Sequence, residues 1–203
     1  MFSVDQRSTP NAGDIQVYVV HGYSASPQAH WFPWLKDRLE TQGIRVDILE
    51  MPSPLQPNVE EWAHYLDEHI TRHDPNTYFV AHSLGCISLL AHLAKQAAST
   101  RLGGLVLLSG FVETLSVLPG LNGFVEQGFD PHQIIQMSTQ RSVIAAKDDT
   151  IVPFSHTEKL SEILKAHFHA LEHGGHFLAS DGFTELPLVE ELLLGMMNGK
   201  TNR

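Results

Sequence analysis

The segment Tyr78-Phe79-Val80-Ala81-His82-Ser83-Leu84-Gly85-Cys86 combines a nucleophile with the setting a nucleophile needs. An apolar run meets a helix-like run at a tight bend, and Ser83 sits on the bend. A hydroxyl held there stands clear of the chain, and the helix N-terminus behind it favours a developing oxyanion. The neighbours at −2 and +2 are Ala81 and Gly85, so the pattern is G-x-S-x-G with alanine first. By itself the pentapeptide also fits a serine that merely caps a helix.

A serine nucleophile needs a base, and the base needs an acid that fixes its tautomer. On a strand–turn–helix scaffold these partners follow the serine in the order acid, then histidine, each just after a strand. Lys147-Asp148-Asp149-Thr150-Ile151-Val152-Pro153 follows the apolar run Arg141–Ala146, and His173-Gly174-Gly175-His176-Phe177 follows Phe168–Glu172. The sequence therefore assigns Ser83 as nucleophile, His176 as general base and Asp149 as the orienting acid. Asp149 opens a D-x-x-V-P run whose apolar residues can anchor the loop, while Asp148 is read as a solvated or loop-bracing neighbour and His173 as a loop residue. Backbone N–H groups of Leu84 and Tyr23 are expected to form the oxyanion hole, the second from the His21-Gly22-Tyr23 turn. Trp31 and Phe111 are candidates for the substrate pocket, although aromatic rings so placed can equally dock a helix on a sheet.

These residues need a frame. Strands are expected at Ile15–Val20, Arg45–Leu49, Thr77–Ala81, Gly104–Ser109, Arg141–Ala146 and Phe168–Glu172, several of them apolar on consecutive residues as doubly covered strands are. Helix starts are read at Ser26-Pro27, at Asn58 with Glu61, at Asp130-Pro131 and at Ser155 with Glu158, with further helices over Leu84–Ala98 and Leu186–Asn198. The alternation predicts an α/β fold, a mostly parallel six-stranded sheet with helices on both faces. A strand order of 2-1-3-4-5-6 is expected, with the site at the strands' C-terminal ends. Residues 1–13 read as a flexible leader and 14–203 as one domain. The stretch Phe111–Phe129 reads as an excursion over the sheet edge, able to act as a small lid or to fill a groove.

Composition narrows the function. The chain has 203 residues, 42% hydrophobic and 18% charged, with a formal charge of −10. That acidity, with no basic run to offset it, argues against nucleic acid and anionic membranes as partners. A lone cysteine, Cys86, cannot make an intrachain disulfide, and no apolar run reaches signal-peptide or membrane-span length, so the cytoplasm is the expected location. Thirteen histidines raise the question of a metal, but no H-E-x-x-H and no cysteine cluster occur; no metal and no cofactor are expected.

The set His21-Gly22-Tyr23, His30-Trp31-Phe32-Pro33-Trp34, Met51-Pro52, His82-Ser83-Leu84-Gly85, Lys147-Asp148-Asp149 and His173-Gly174-Gly175-His176-Phe177 resembles the YdeN-type bacterial serine hydrolases, relatives of retinoblastoma-binding protein 9. The likeness runs from about Gln16 to beyond Leu186. It implies a compact α/β-hydrolase without a large cap domain, with its triad on Ser83, Asp149 and His176. The mammalian relative's L-x-C-x-E motif does not occur here, since Cys86 lies in Gly85-Cys86-Ile87-Ser88, and that binding role does not carry over.

The expected activity is cleavage of small carboxylic esters, and secondarily amides, through an acyl-enzyme. A catalytically weak interaction module and an acyltransferase are the alternatives. With only about twenty residues left to build a lid, short acyl chains of roughly two to eight carbons are expected over long lipids. The sequence leaves the oligomeric state open.

Overall fold

In the computed structural model, which describes residues 14–199, six strands and seven helices alternate along the chain. The strands are β1 (Gln16–Val20), β2 (Arg45–Leu49), β3 (Thr77–His82), β4 (Gly104–Leu108), β5 (Arg141–Ala146) and β6 (His167–Leu171). They form one sheet in the order β2-β1-β3-β4-β5-β6, and every pairing is parallel. The proposed leader, residues 1–13, lies outside the described residues.

Parallel neighbours need crossovers, and the crossovers cover both faces with helices. Side chains on a strand alternate between faces, so each central strand feeds two cores. Tyr18, Val20, Phe79, Ala81, Leu105 and Leu107 enter one core. It is completed by α2 (Val59–His69), α3 (Leu84–Leu93), α5 (Pro131–Met137) and α6 (Phe154–Leu164). Val17, Val19, Tyr78, Val80, Val106 and Leu108 enter the other, beneath α1 (Phe32–Glu40) and α7 (Pro187–Met197). Arg38 on α1 donates to the carboxylate of Glu190 on α7 at 3.1 Å, which ties this layer together. Helix α3 is buried at every position, as expected of an apolar helix in the middle of a layer.

Two cap readings hold and two do not. Asn58 caps α2 by accepting the N–H groups of Glu60 and Glu61, and Asp130 caps α5 by accepting that of His132. The helix expected at Ser26-Pro27 starts instead at Phe32, because residues 26–31 turn to bring Trp31 into the core and His30 toward the sheet's C-terminal edge. Ser155 caps nothing: α6 begins one residue earlier, after Pro153. Helix α3 ends at Leu93 rather than Ala98, where the Gln96 side chain caps the His92 carbonyl and the chain turns toward β4. The excursion after β4 holds a short helix α4 (Asn122–Glu126), with Phe111, Leu115, Leu121 and Phe124 buried as anchors. No helix among the described residues is long and apolar enough to cross a membrane.

Candidate active site

The strand order reverses between β1 and β3, because the chain leaves β1 for β2 on one side and returns to β3 on the other. Loops that leave neighbouring strands in opposite directions part there and open a crevice at the C-terminal edge. The β1 loop and the turn after β3 are therefore forced side by side.

Ser83 occupies that turn with φ 53° and ψ −123°, a left-handed conformation that a side-chain-bearing residue adopts only under constraint. The constraint is close packing. A Cβ on Gly85 would lie 2.4 Å from the Val20 carbonyl oxygen and 2.7 Å from that of His21. A Cβ on Gly22 would lie 2.8 Å from Ser83 Cβ and 3.4 Å from the Leu84 nitrogen. Both glycines thus permit a contact between β1 and the serine turn that any larger residue would break.

The loop carrying His176 is held by Asp149. Asp149 Oδ2 lies 2.8 Å from His176 Nδ1, and its Oδ1 accepts the N–H groups of Ile151 and Val152 at 2.9 and 3.0 Å. Both side chains are nearly inaccessible, at 2% for Asp149 and 6% for His176. A carboxylate acceptor requires the proton on Nδ1, which leaves Nε2 as the basic nitrogen. Asp148 points elsewhere. Its Oδ1 accepts the N–H groups of Gly174 and Gly175, and these bonds hold its carboxyl below the usual carboxylate range. Gly175 has φ +51°, and Phe177, buried completely, anchors the loop just beyond His176.

Ser83 and His176 line one cavity of about 110 Å³ with Tyr23, His30, Leu118 and Leu178. Among the described residues, neither Ser83 Oγ nor His176 Nε2 takes a hydrogen bond from the protein. Two backbone donors adjoin them. Leu84 opens α3, so its N–H has no acceptor within the helix, and the Tyr23 N–H makes no backbone bond among the described residues.

Four site residues carried no clear signal in the sequence. His21 receives the Met51 N–H on Nε2 at 3.2 Å and donates from Nδ1 to the Gly22 carbonyl at 2.9 Å. The two ends of a trans peptide point in opposite directions, so gripping the Gly22 oxygen aims the Tyr23 N–H the other way. Burial lowers the His21 pKa and keeps the ring neutral, as this bonding requires. His82 donates from Nε2 to the His176 carbonyl oxygen at 2.9 Å, joining the serine turn to the base loop. Burial and the neighbouring His176 push its pKa well below the ordinary value. Asp181 accepts the N–H groups of His176 and Leu178 on Oδ2, a carboxylate bracket five residues after His176. His30, at φ 56°, accepts the Ala179 N–H on Nδ1 and turns its edge to the cavity.

The pocket candidates fall elsewhere. Trp31 is wholly buried beneath α1, with its ring edge-on to Phe32 and His82, and Phe111 is buried in the opposite core. The aromatic residue that does line the cavity is Tyr23, together with Leu118 of the excursion. Packing against the sheet claims the larger rings. Cys86 is buried, with its thiol bonded to the Ala81 and Leu108 carbonyls and its pKa driven far up by burial, so it is no competing nucleophile. No three histidine, cysteine or acidic side chains among the described residues converge as metal ligands.

Comparison with known proteins places this geometry in context. The serine hydrolase family model matches residues 17–194. The candidate hydrolase YdeN of Bacillus subtilis is 46% identical over 92% of this chain and 98% of its own. The crystal structure of that gene product superposes with a TM-score of 0.88, covering 91% of this chain and 99% of the other. Est1E from Butyrivibrio proteoclasticus shares the fold at a TM-score of 0.68 and 14% identity, over 92% of this chain and 88% of its own.

Proposed function

The chain belongs to the YdeN-type serine hydrolase family of the α/β-hydrolase superfamily, and from that premise we propose that it cleaves small carboxylic esters, and secondarily amides, through an acyl-enzyme on Ser83. Ser83 Oγ attacks the carbonyl carbon while His176 Nε2 takes the hydroxyl proton. The resulting oxyanion is held by the Leu84 and Tyr23 N–H groups, donors whose positions are set before the substrate arrives. Collapse of the tetrahedral adduct breaks the bond to the leaving group, which receives the proton from His176. Water then repeats the sequence on the acyl-serine and releases the acid. Asp149 keeps the proton on Nδ1 and steadies the imidazolium that forms twice per turnover.

One observation carries this reading: the 2.8 Å contact between Asp149 and His176, on a base that shares its cavity with a serine on a left-handed turn. A buried carboxylate–imidazole pair serving only the fold would have no reason to stand beside that serine. The test is labelling with a fluorophosphonate probe, followed by turnover of p-nitrophenyl esters. The reading expects labelling of the native protein and none of Ser83→Ala. Labelling that persists in Ser83→Ala removes Ser83 as the nucleophile, and an unlabelled, inactive native protein favours the interaction module.

A further inference from the structure

The cavity at Ser83 opens in two directions of different character. Toward His176 it meets a space of about 500 Å³ lined by Asp148, Thr150, His173 and Asp181. Away from His176, Tyr23 and Leu118 are shared with a second groove of about 330 Å³, which Leu55, Pro57, Val117 and Leu121 complete. The first arm gathers acidic and histidine side chains beside Ile151 and Phe183, and the second is lined mainly by apolar side chains, with Gln56 among them.

The apolar arm is unusual in its exposure. Tyr23, Leu55 and Val117 are the exposed large hydrophobic residues among those described, at 36%, 70% and 63%, and all three line this groove. Single exposed apolar side chains are ordinary, but three converging beside a nucleophile mark a surface meant to be covered. The groove is also preformed. On one side the loop carrying Leu55 is tied to the serine site, since the Ser24 N–H donates to the Pro54 carbonyl at 2.8 Å. On the other, the excursion carrying Val117 and Leu118 is seated on the core by Leu115, Leu121 and Phe124.

Resting on the hydrolase reading above, the chemistry decides which part of a substrate goes where. His176 must hand its proton to the leaving group, so the leaving group lies on the His176 side. The carbonyl oxygen is held at Tyr23 and Leu84. The acyl chain is left the opposite direction, over Tyr23 and Leu118. We infer that the groove formed by Tyr23, Leu55, Val117, Leu118 and Leu121 is the acyl-binding subsite, and that the substrates are esters of linear, apolar, medium-length acids with polar leaving groups. The groove is an open trough on the surface, so it fits a chain of a few methylenes better than a long lipid.

The test is a series of p-nitrophenyl esters from acetate through butyrate and hexanoate to octanoate. A methylene entering an open apolar groove is expected to raise kcat/KM by about twofold to fourfold. The variants Leu55→Gln and Val117→Gln lie on exposed positions and spare the core. Each is expected to lower the hexanoate-to-acetate ratio of kcat/KM by about threefold to tenfold, and the pair more. A second readout needs no turnover: hexanoate and octanoate binding to the Ser83→Ala protein, followed by NMR shifts of Tyr23, is expected to tighten with chain length and to weaken with Val117→Gln. Ester cleavage with a flat chain-length profile, unchanged in both variants, overturns the subsite and leaves the hydrolase standing. Length-dependent binding with no labelling of Ser83 and no turnover keeps an apolar ligand groove and overturns the hydrolase. Neither binding nor turnover overturns both.

Discussion

His82 Nε2 donates to the backbone carbonyl of His176 at 2.9 Å, so the residue before Ser83 holds the main chain of the proposed base. The rings of the two histidines lie 4.8 Å apart between centroids. Two loops leaving different strands are thus joined where the proposed reaction needs a fixed distance between Ser83 and His176. Replacing His82 by Phe keeps a ring in the core but leaves a buried carbonyl without its donor, an effect of about 1–3 kcal/mol. We expect turnover of His82→Phe to fall by roughly tenfold or more with the fold retained. Circular dichroism and ester kinetics check it; undiminished turnover would show that the link is idle.

The adjacent aspartates should separate cleanly. Asp149→Asn keeps the shape but no longer fixes the base's tautomer, a change that lowered turnover by about 10⁴ in a serine protease. We expect a loss of several orders of magnitude. Asp148→Asn loosens only the contacts to His173, Gly174 and Gly175 and should lose far less. Folded, purified variants on one ester decide it, and a reversed ranking would make Asp148 the acid.

The close contacts at the glycines predict two different failures. In Gly22→Ala the new methyl meets Ser83 Cβ at 2.8 Å and pushes the Tyr23 loop from the oxyanion position. Removing one oxyanion donor lowers turnover by about 10²–10³. That loss should appear in kcat, with a smaller fall in thermal midpoint than Gly85→Ala causes, since the methyl also lies 3.1 Å from the His82 carbonyl oxygen. In Gly85→Ala the methyl meets the Val20 carbonyl at 2.4 Å and the His21 carbonyl at 2.7 Å, backbone that cannot step aside. There the thermal midpoint itself should drop, and an unchanged midpoint would show that the contact is soft.

Acid should unfold this protein early. Burial lowers the pKa values of His21, His30, His73, His82 and His92 from the ordinary 6.5. For His73 and His82 a neighbouring histidine adds to the effect, His92 in the first case and His176 in the second. In the unfolded chain these imidazoles take up protons near pH 6.5, whereas in the folded chain they resist until lower pH. The unfolded state then binds more protons, and stability falls as pH drops. Thermal midpoints should hold above about pH 7 and decline progressively below 6.5. A midpoint unchanged between pH 7.5 and 5.5 would contradict the burial of these rings. His82→Phe, one titrating ring fewer, should show a shallower decline.

The sequence by itself determined the strand–helix alternation, and with it that Ser83, Asp149 and His176 each follow a strand. Both rest on local properties: apolar runs, turn residues, and the requirement that parallel strands be joined by covered crossovers. It also favoured Asp149 over Asp148, because neighbouring side chains on an extended segment face opposite ways and the run to Pro153 buries Ile151 and Val152.

Only the tertiary structure decided what surrounds them. Trp31 and Phe111 looked like pocket residues because aromatic rings near a site carry no mark of which way they face. Burial assigned both to the core and left the pocket wall to Tyr23 and Leu118, two residues 95 positions apart along the chain. The false helix start at Ser26-Pro27 has the same cause, since the cap signal was overridden by packing of Trp31 against the sheet. The bonds of His21, His82 and Asp181 were invisible for another reason. Each joins a side chain to a backbone group, and a backbone group has the same chemistry whatever residue carries it. Residue types alone do not announce such a partner; the bond from His82 exists only once the sheet has brought the turn after β3 beside the loop after β6, and those of Asp181 only once its own loop has closed.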